Sequence, residues 1–417
     1  MDKNNIGSRD DITMKIKKST LIQVVILILF LGIIEPTSFI GTWIHSLCGV
    51  LRTVAFLISV LLYLQDKIYR ELTENLLILF VILIGISSLL YSKNLTADYM
   101  YFAKNAFSVI VMGKYMMKRQ PRNFCMMIGG ILSLWLLIDA FTWNIPGLGG
   151  NPGEVAFSCF LGTKTTITYY LLPALAFDYA LLMSSAKNKR FFAEVLLIMA
   201  VGGTIAYLIQ MPISTTIVCL ILQLVCVILV KKQMFIVKPI IKYGFFITSL
   251  LNILLIAGGT LGFLDYIMVN VLGESSDLDG RRQIWTMVIA TFSRRPLMGF
   301  GMGSDIVFNV WQSNNASTHN YFLSILIYGG IVALIVYLLV ILLFYKKNKP
   351  YLDRRISQFL MLTLIIMNLE GENTQQQFIK TVVQTLSNNN ANLNNEIQKQ
   401  KTSYCSLLTW LERGRLK

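Results

Sequence analysis

Apolar positions gather into long runs, mostly about 16 to 25 residues, set apart by short polar stretches. The runs lack the two-residue alternation of outer-membrane strands, and inside a bilayer only helices can then satisfy the backbone. Eleven runs read as helical spans: 19–34, 44–64, 75–91, 97–117, 124–143, 166–184, 191–210, 213–230, 240–261, 321–345 and 356–369. The first resembles a signal sequence, but no AxA-type cleavage site follows it, so it is kept as a span. The last holds about 14 apolar residues against the roughly 20 a span requires. The expected fold is an all-α polytopic transmembrane bundle of about eleven spans. Residues 1–369 form its membrane domain, and 262–320 a large extracytoplasmic loop with short amphipathic helices. The tail, 370–417, is Asn/Gln-rich and reads as disordered or as a weak amphipathic helix, with no core of its own.

Composition agrees with the pattern: 55% of the 417 residues are apolar, 14% are charged, and mean hydropathy is +0.60. A net charge of +15 in a soluble protein would suggest nucleic acid. Here the basic residues concentrate in alternate loops, which is the topological signature of a membrane protein, and no nucleic acid is expected. That bias puts the N-terminus in the cytoplasm and segments 35–43, 92–96, 144–165, 211–212 and 262–320 outside. Cys48, Cys125, Cys159, Cys219 and Cys226 lie in or beside apolar runs without a CxxC pair, so they are expected to pack as small apolar residues.

Charge inside a span is costly and usually faces the bundle interior. Lys114, near the cytoplasmic end of its run, is expected to snorkel. Arg52 and Lys104 lie deeper, and two readings stay open. They pair with Glu35, Asp98 or Asp139 to hold helices together, or they form a basic pocket for an anionic lipid headgroup. Asp178 and Glu194, toward the cytoplasmic side, are given no role. The chain lacks the string of carboxylates a proton relay would need.

The stretch from 277 to 330, most of it in the outer loop, carries four arginines and one of the two histidines. Ile284, Trp285, Val288, Ile289 and Phe292 recur at helical spacing, which predicts an amphipathic helix over 280–292, lying on the membrane surface with Trp285 at the interface. Gly299, Gly301 and Gly303 supply a turn that lets backbone approach a ligand. Arg294 and Arg295 suit either anionic lipid or the helix C-terminus. Arg281 and Arg282 stand at the helix start, where cations oppose the macrodipole and call for an anion, either Asp277 and Asp279 or a bound phosphate. Lys164, in the other large outer loop, could join that anion site. Asp277 and Asp279 also form a DxD pair, a weak metal signal better read as solvation or pairing with the arginines. His319, at the water boundary, is either the neighbour of a helix cap or a base near neutral pH. His45 reads as structural.

Gly280, Arg281, Ile284 and Trp285, then Pro296, Gly299 and Gly301, then His319, Asn320 and Gly330 resemble the core of the O-antigen ligase and polymerase superfamily. Where that family often has a further glycine, this chain has Ala333. The resemblance implies a glycosyltransferase of the bacterial cytoplasmic membrane that polymerises polyprenyl-diphosphate-linked oligosaccharide units, with inversion and without metal or other cofactor. It implies His319 as catalytic base and Arg281 on the lipid diphosphate. Arg282, Lys164, Arg52, Lys104 and Asn320 are candidate substrate contacts by location. Membrane lipid, and flippase and chain-length regulator proteins, are the expected partners. A ligase moving finished polymer to another acceptor shares every motif. A lipid-oligosaccharide flippase is the reading from another class.

Overall fold

The structure, a computed structural model, describes residues 21–65, 71–91, 98–142, 145, 159–185, 190–257, 281–302, 308–310, 313–315, 318 and 320–369. His319, Asp277, Asp279, Gly303 and the tail 370–417 lie outside the described residues, as do 262–280, 303–307, 311–312 and 316–317 of the loop 262–320. The described chain is helical apart from one antiparallel hairpin, β1 (Phe308–Val310) and β2 (Ser313–Asn315). Its helices are α1 (Leu21–Ile33), α2 (Trp43–Gln65), α3 (Leu72–Tyr91), α4 (Asp98–Arg119), α5 (Pro121–Thr142) and α6 (Ile167–Ser184). They continue as α7 (Arg190–Gln210), α8 (Ser214–Lys231), α9 (Val237–Ala257), α10 (Arg281–Phe292), α11 (Tyr321–Asn348) and α12 (Arg355–Leu369).

Seven of these, α2, α3, α5, α6, α7, α8 and α11, are long and apolar enough to cross a membrane. The other four expected spans fall on α1, α4, α9 and α12, which do not meet that measure. Large apolar side chains such as Leu57, Leu61, Leu89, Ile198, Ile209 and Phe246 stand exposed on the outside of the bundle, as in a protein solvated by lipid. Helix α6 is apolar on all sides and almost wholly buried, so it takes the centre, packed against α5, α7, α8 and α12. A second core joins α3, α4 and α11 through Phe80, Ile84, Phe102, Tyr321, Ile325 and Tyr337. The five cysteines named above are free and buried, as expected of small apolar residues.

Hydrogen bonds between segments show which helix ends share a face. Ser38 donates its amide to Phe160 O at 3.1 Å, so segments 34–42 and 159–166 lie together, and Trp135 Nε1 donating to Ile34 O at 3.1 Å sets them against the end of α5. At the opposite end Glu71 bonds Lys118 and Lys347, tying the start of α3 to the ends of α4 and α11.

Lys114 departs from expectation. It is 1% exposed and does not snorkel; its Nζ lies 2.9 Å from Glu74 Oε1 and 3.1 Å from Glu71 Oε1. Both acids come from the start of α3, and they turn a charge that would have sought water into a buried cross-helix tie. Burial would raise the Glu71 carboxyl, but Lys347 and Lys114 outweigh it and hold the group down at about 2. Asp178, given no role from the sequence, has no access to solvent either: Ser133 donates to its Oδ2 at 2.7 Å, and Gly129 leaves room for the carboxylate.

Candidate functional site

The loop helix forms where the apolar spacing predicts, from Arg281 to Phe292. Its apolar face does not rest on lipid. Ile284, Trp285 and Val288 are buried against Leu323 and Ile327 of α11, because that helix offers a matching apolar groove in place of the membrane surface. Of the two remaining stripe residues, Phe292 is partly buried against the same cluster and Ile289 stays exposed. Trp285 is fixed at its polar end as well, donating its indole N–H to Thr318 O at 3.0 Å. The motif tryptophan is thereby bonded to the carbonyl that precedes His319 in the chain. The backbones of Arg281 and Arg282 open this helix; their side chains lie outside the described residues.

The motif glycines close on protein backbone. Gly330 interrupts α11 with φ 68° and ψ −168°. An unbroken helix would pair Ile331 N with Ile327 O and Val332 N with Tyr328 O, so the break strands these four groups. The segment after α10 satisfies each of them. Phe300 N donates to Ile327 O at 2.6 Å and Gly301 N to Tyr328 O at 3.1 Å, while Ile331 N donates to Pro296 O at 2.9 Å and Val332 N to Leu297 O at 3.3 Å. Non-helical backbone is tolerated at membrane depth only where protein covers it in this way.

Only glycine fits at three of these points. Gly299, Gly301 and Gly330 all have positive φ, and a Cβ on each would fall within 2.5 Å of backbone: Ile327 O, Ser88 Cα and Leu297 O respectively. Met302 N then donates to Ser88 Oγ at 2.9 Å, which ties the segment to α3. The close approach expected toward a ligand is, for Gly299 and Gly301, an approach to α11 and α3. Ala333 is fully buried in the core shared by α3, α4 and α11.

Asn320 caps α11. Its side-chain oxygen accepts from Phe322 N at 3.0 Å and Leu323 N at 3.2 Å, as an N-cap should. Its amide nitrogen is occupied too, donating to Asn252 Oδ1 of α9 at 3.0 Å. Thr318 Oγ1 lies 2.6 Å from Ser324 Oγ and donates to Asn320 O. Both chain neighbours of His319 are thus held by the fold.

Arg52 and Lys104 meet elsewhere, on the seam between α2 and α4. Arg52 is buried, paired with Glu35 and stacked over the Tyr101 ring at 4.4 Å. Glu35 also takes His45 Nδ1 at 2.8 Å, so His45 has the structural place expected for it. Lys104 finds a hydroxyl and no carboxylate among the described residues, donating to Thr53 Oγ1 at 3.0 Å. The backbone of Lys164 begins a short 3-10 turn ahead of α6, and its side chain lies outside the described residues. Just before it Leu161 N donates to buried Asp139 at 2.9 Å, and six residues after it Tyr170 donates to Glu35 O at 3.3 Å. Lys164 therefore sits in a loop adjoining the Glu35–Arg52 pair. Among the described residues no hydrogen bond or ion pair links Arg52 or Lys104 to Asn320.

Arg294 and Arg295 are exposed, and Arg295 lies 4.0 Å over the Tyr91 ring and 5.1 Å from that of Phe300. Asn252, Thr318, Ser88 and Asn368 went unread in the sequence. The signal for Asn252 and Asn368 was present, since a lone amide within an apolar run needs a partner much as a charge does.

No curated protein and no solved structure matches this chain. Residues 155–338 match a protein-family model described as O-antigen ligase, a stretch that begins before α6 and ends within α11. Over that stretch the chain is similar to the O-antigen ligase family, and seven of its described helices are long and apolar enough to cross a membrane.

Proposed function

We propose that the protein polymerises polyprenyl-diphosphate-linked oligosaccharide units on the outer face of the bacterial cytoplasmic membrane. A hydroxyl of the acceptor unit attacks the anomeric carbon of the donor chain, the bond from that carbon to the lipid diphosphate breaks, and the configuration inverts. His319 takes the hydroxyl proton as general base. The electron pair leaves with the polyprenyl diphosphate, whose growing charge Arg281 stabilises, with Arg282 and Lys164 as further cationic contacts. The activated lipid supplies the free energy, so neither nucleotide nor metal takes part.

The observation that carries this reading is the double anchoring around position 319. Trp285 Nε1 holds Thr318 O, and Asn320 caps α11. Arg281 precedes Trp285 by four residues on the same helix, one turn along the same face. A base and a diphosphate contact carried by elements bonded to one another suit a displacement that needs both at once. The paired state of Arg52 supports a helix-holding role for it and leaves Lys104 the freer of the two for an anionic lipid.

The test is purified protein in vesicles given synthetic polyprenyl-diphosphate repeat units and no other acceptor. Long chains are expected from the native protein, whereas a ligase would leave the units unjoined. His319→Ala and Arg281→Ala are each expected to abolish chain growth at unchanged protein level, and a chelator is expected to leave the native rate intact. Chain growth by His319→Ala at the native rate would overturn the assignment.

A further inference from the structure

We infer that Asn252, in helix α9, is a positioning residue for the start of α11, and that the end of α12 holds Asn252 in place. Asn252 is buried at 5% exposure, and each of its bonds is directional. Its Oδ1 accepts from Asn320 Nδ2 at 3.0 Å, while its Nδ2 donates to Asn368 O and to Thr248 O, both at 2.9 Å. Asn368 Nδ2 in turn donates to Thr248 Oγ1 at 2.9 Å, fastening the end of α12 to α9.

The amide orientations are forced. The oxygen of Asn320 is engaged by two helix N–H groups, so its nitrogen must face Asn252, which must answer with oxygen. That leaves the nitrogen of Asn252 for the two carbonyls. Turning either amide would set donor against donor in a buried setting. Three helices far apart in sequence thus converge on the residue that follows His319, while Trp285 of α10 holds the one before it.

The inference rests on the proposed role of His319 as base: with α9 bonding Asn320 and α12 bracing Asn252, the placement of position 319 becomes a property of the helix bundle as well as of the loop. A displacement of about 1 Å in such a group costs on the order of 100-fold in rate. Asn252 would act through Asn320, without touching substrate.

The experiment uses the full chain in vesicles with the synthetic repeat units. Asn252→Ala is expected to lower kcat roughly 10- to 100-fold with KM within about twofold of native. In a double-mutant cycle with Asn320→Ala, the pair should lose little more than Asn320→Ala alone. Gln223→Leu is the control: Gln223 of α8 bonds Thr363 of α12 at 2.6 Å, so its loss loosens the same helix without touching the Asn252 contacts. It should reduce thermal stability and keep the native kcat. Should Asn252→Ala fail to accumulate, Asn368→Ala, which frees only the outer link of the chain, should show a smaller fall in kcat. A native kcat in whichever of these two variants accumulates, or a loss no greater than that of Gln223→Leu, overturns the inference. His319→Ala is run alongside. If it keeps native chain growth, the functional reading itself fails; if it is inactive while Asn252→Ala turns over normally, only the positioning role does.

Discussion

Replacing Gly330 by alanine probes the junction on which the motif region is built. Two costs combine. The backbone there has φ 68° and ψ −168°, a region essentially reserved for glycine that costs a residue with Cβ about 1–3 kcal/mol. The new methyl would lie 2.1 Å from Leu297 O and 2.3 Å from Leu297 C, and these are backbone atoms with no free rotor to yield. Relieving the overlap means parting the 296–298 segment from α11. The nearest bonds, Ile331 N to Pro296 O and Val332 N to Leu297 O, are then lost, leaving four buried groups unpaired where water is scarce. Two net bonds at about 1 kcal/mol each, with desolvation of the exposed ends, bring the total to about 4 kcal/mol or more, the upper end for one substitution. Thermal unfolding of the purified protein in detergent measures this. Gly202→Ala is the comparison: it sits in helix α7 with nothing within 4 Å of its Cβ and should be neutral, or stabilising by about 1 kcal/mol. If Gly330→Ala melts within a degree or two of native, the interlock does not hold α11 in its broken form.

Three further outcomes follow from the same contacts. Trp285→Phe keeps the ring in its groove but leaves Thr318 O without its donor, and should cost about 1–3 kcal/mol in unfolding free energy together with a clear loss of chain growth. Lys114→Met removes one partner of a buried ion pair and should destabilise by about 3–5 kcal/mol, with partial recovery when Glu74→Gln is added; no loss in the single variant would refute the tie. Glu71 is held down to about 2 from an ordinary 4.5, so its contribution to stability is complete above pH 4.5 and disappears as pH falls through 2. Melting followed across that window should slope downward with acidification, and Glu71→Gln should flatten the slope.

The helical architecture was legible because apolar runs of span length have few alternatives in lipid, and the amphipathic repeat from Ile284 to Phe292 gave the loop helix nearly to the residue. What covers that helix was not legible: a surface helix on lipid and one on α11 need the same stripe, and only the partner groove of Leu323 and Ile327 tells them apart. The glycines illustrate the same limit. Their spacing announces a close backbone approach, but the approaching surface is set by residues some 30 positions away or, for Ser88, more than 200. Lys114 misled for a related reason: position along a run indicates depth, whereas burial depends on Glu71 and Glu74 of another helix. Of the site, the cap at Asn320 follows from local sequence, whereas the anchor of Trp285 lies on Thr318, 33 residues away, and was not legible. The amides of Asn252 and Asn368 were in plain view but carry no charge to draw notice.

The interruption of α11 bears on how the protein reaches its membrane. During synthesis Tyr321–Asn348 enters hydrocarbon as one of the most apolar stretches of the chain, and a lone segment with four bare backbone groups would be penalised by several kcal/mol for each. It must therefore insert as a continuous rod, with Gly330 in ordinary helical geometry. The fracture at Gly330 then opens only as the already translated Pro296–Gly301 strip docks against it, which makes maturation of this region a late step of assembly inside the bilayer.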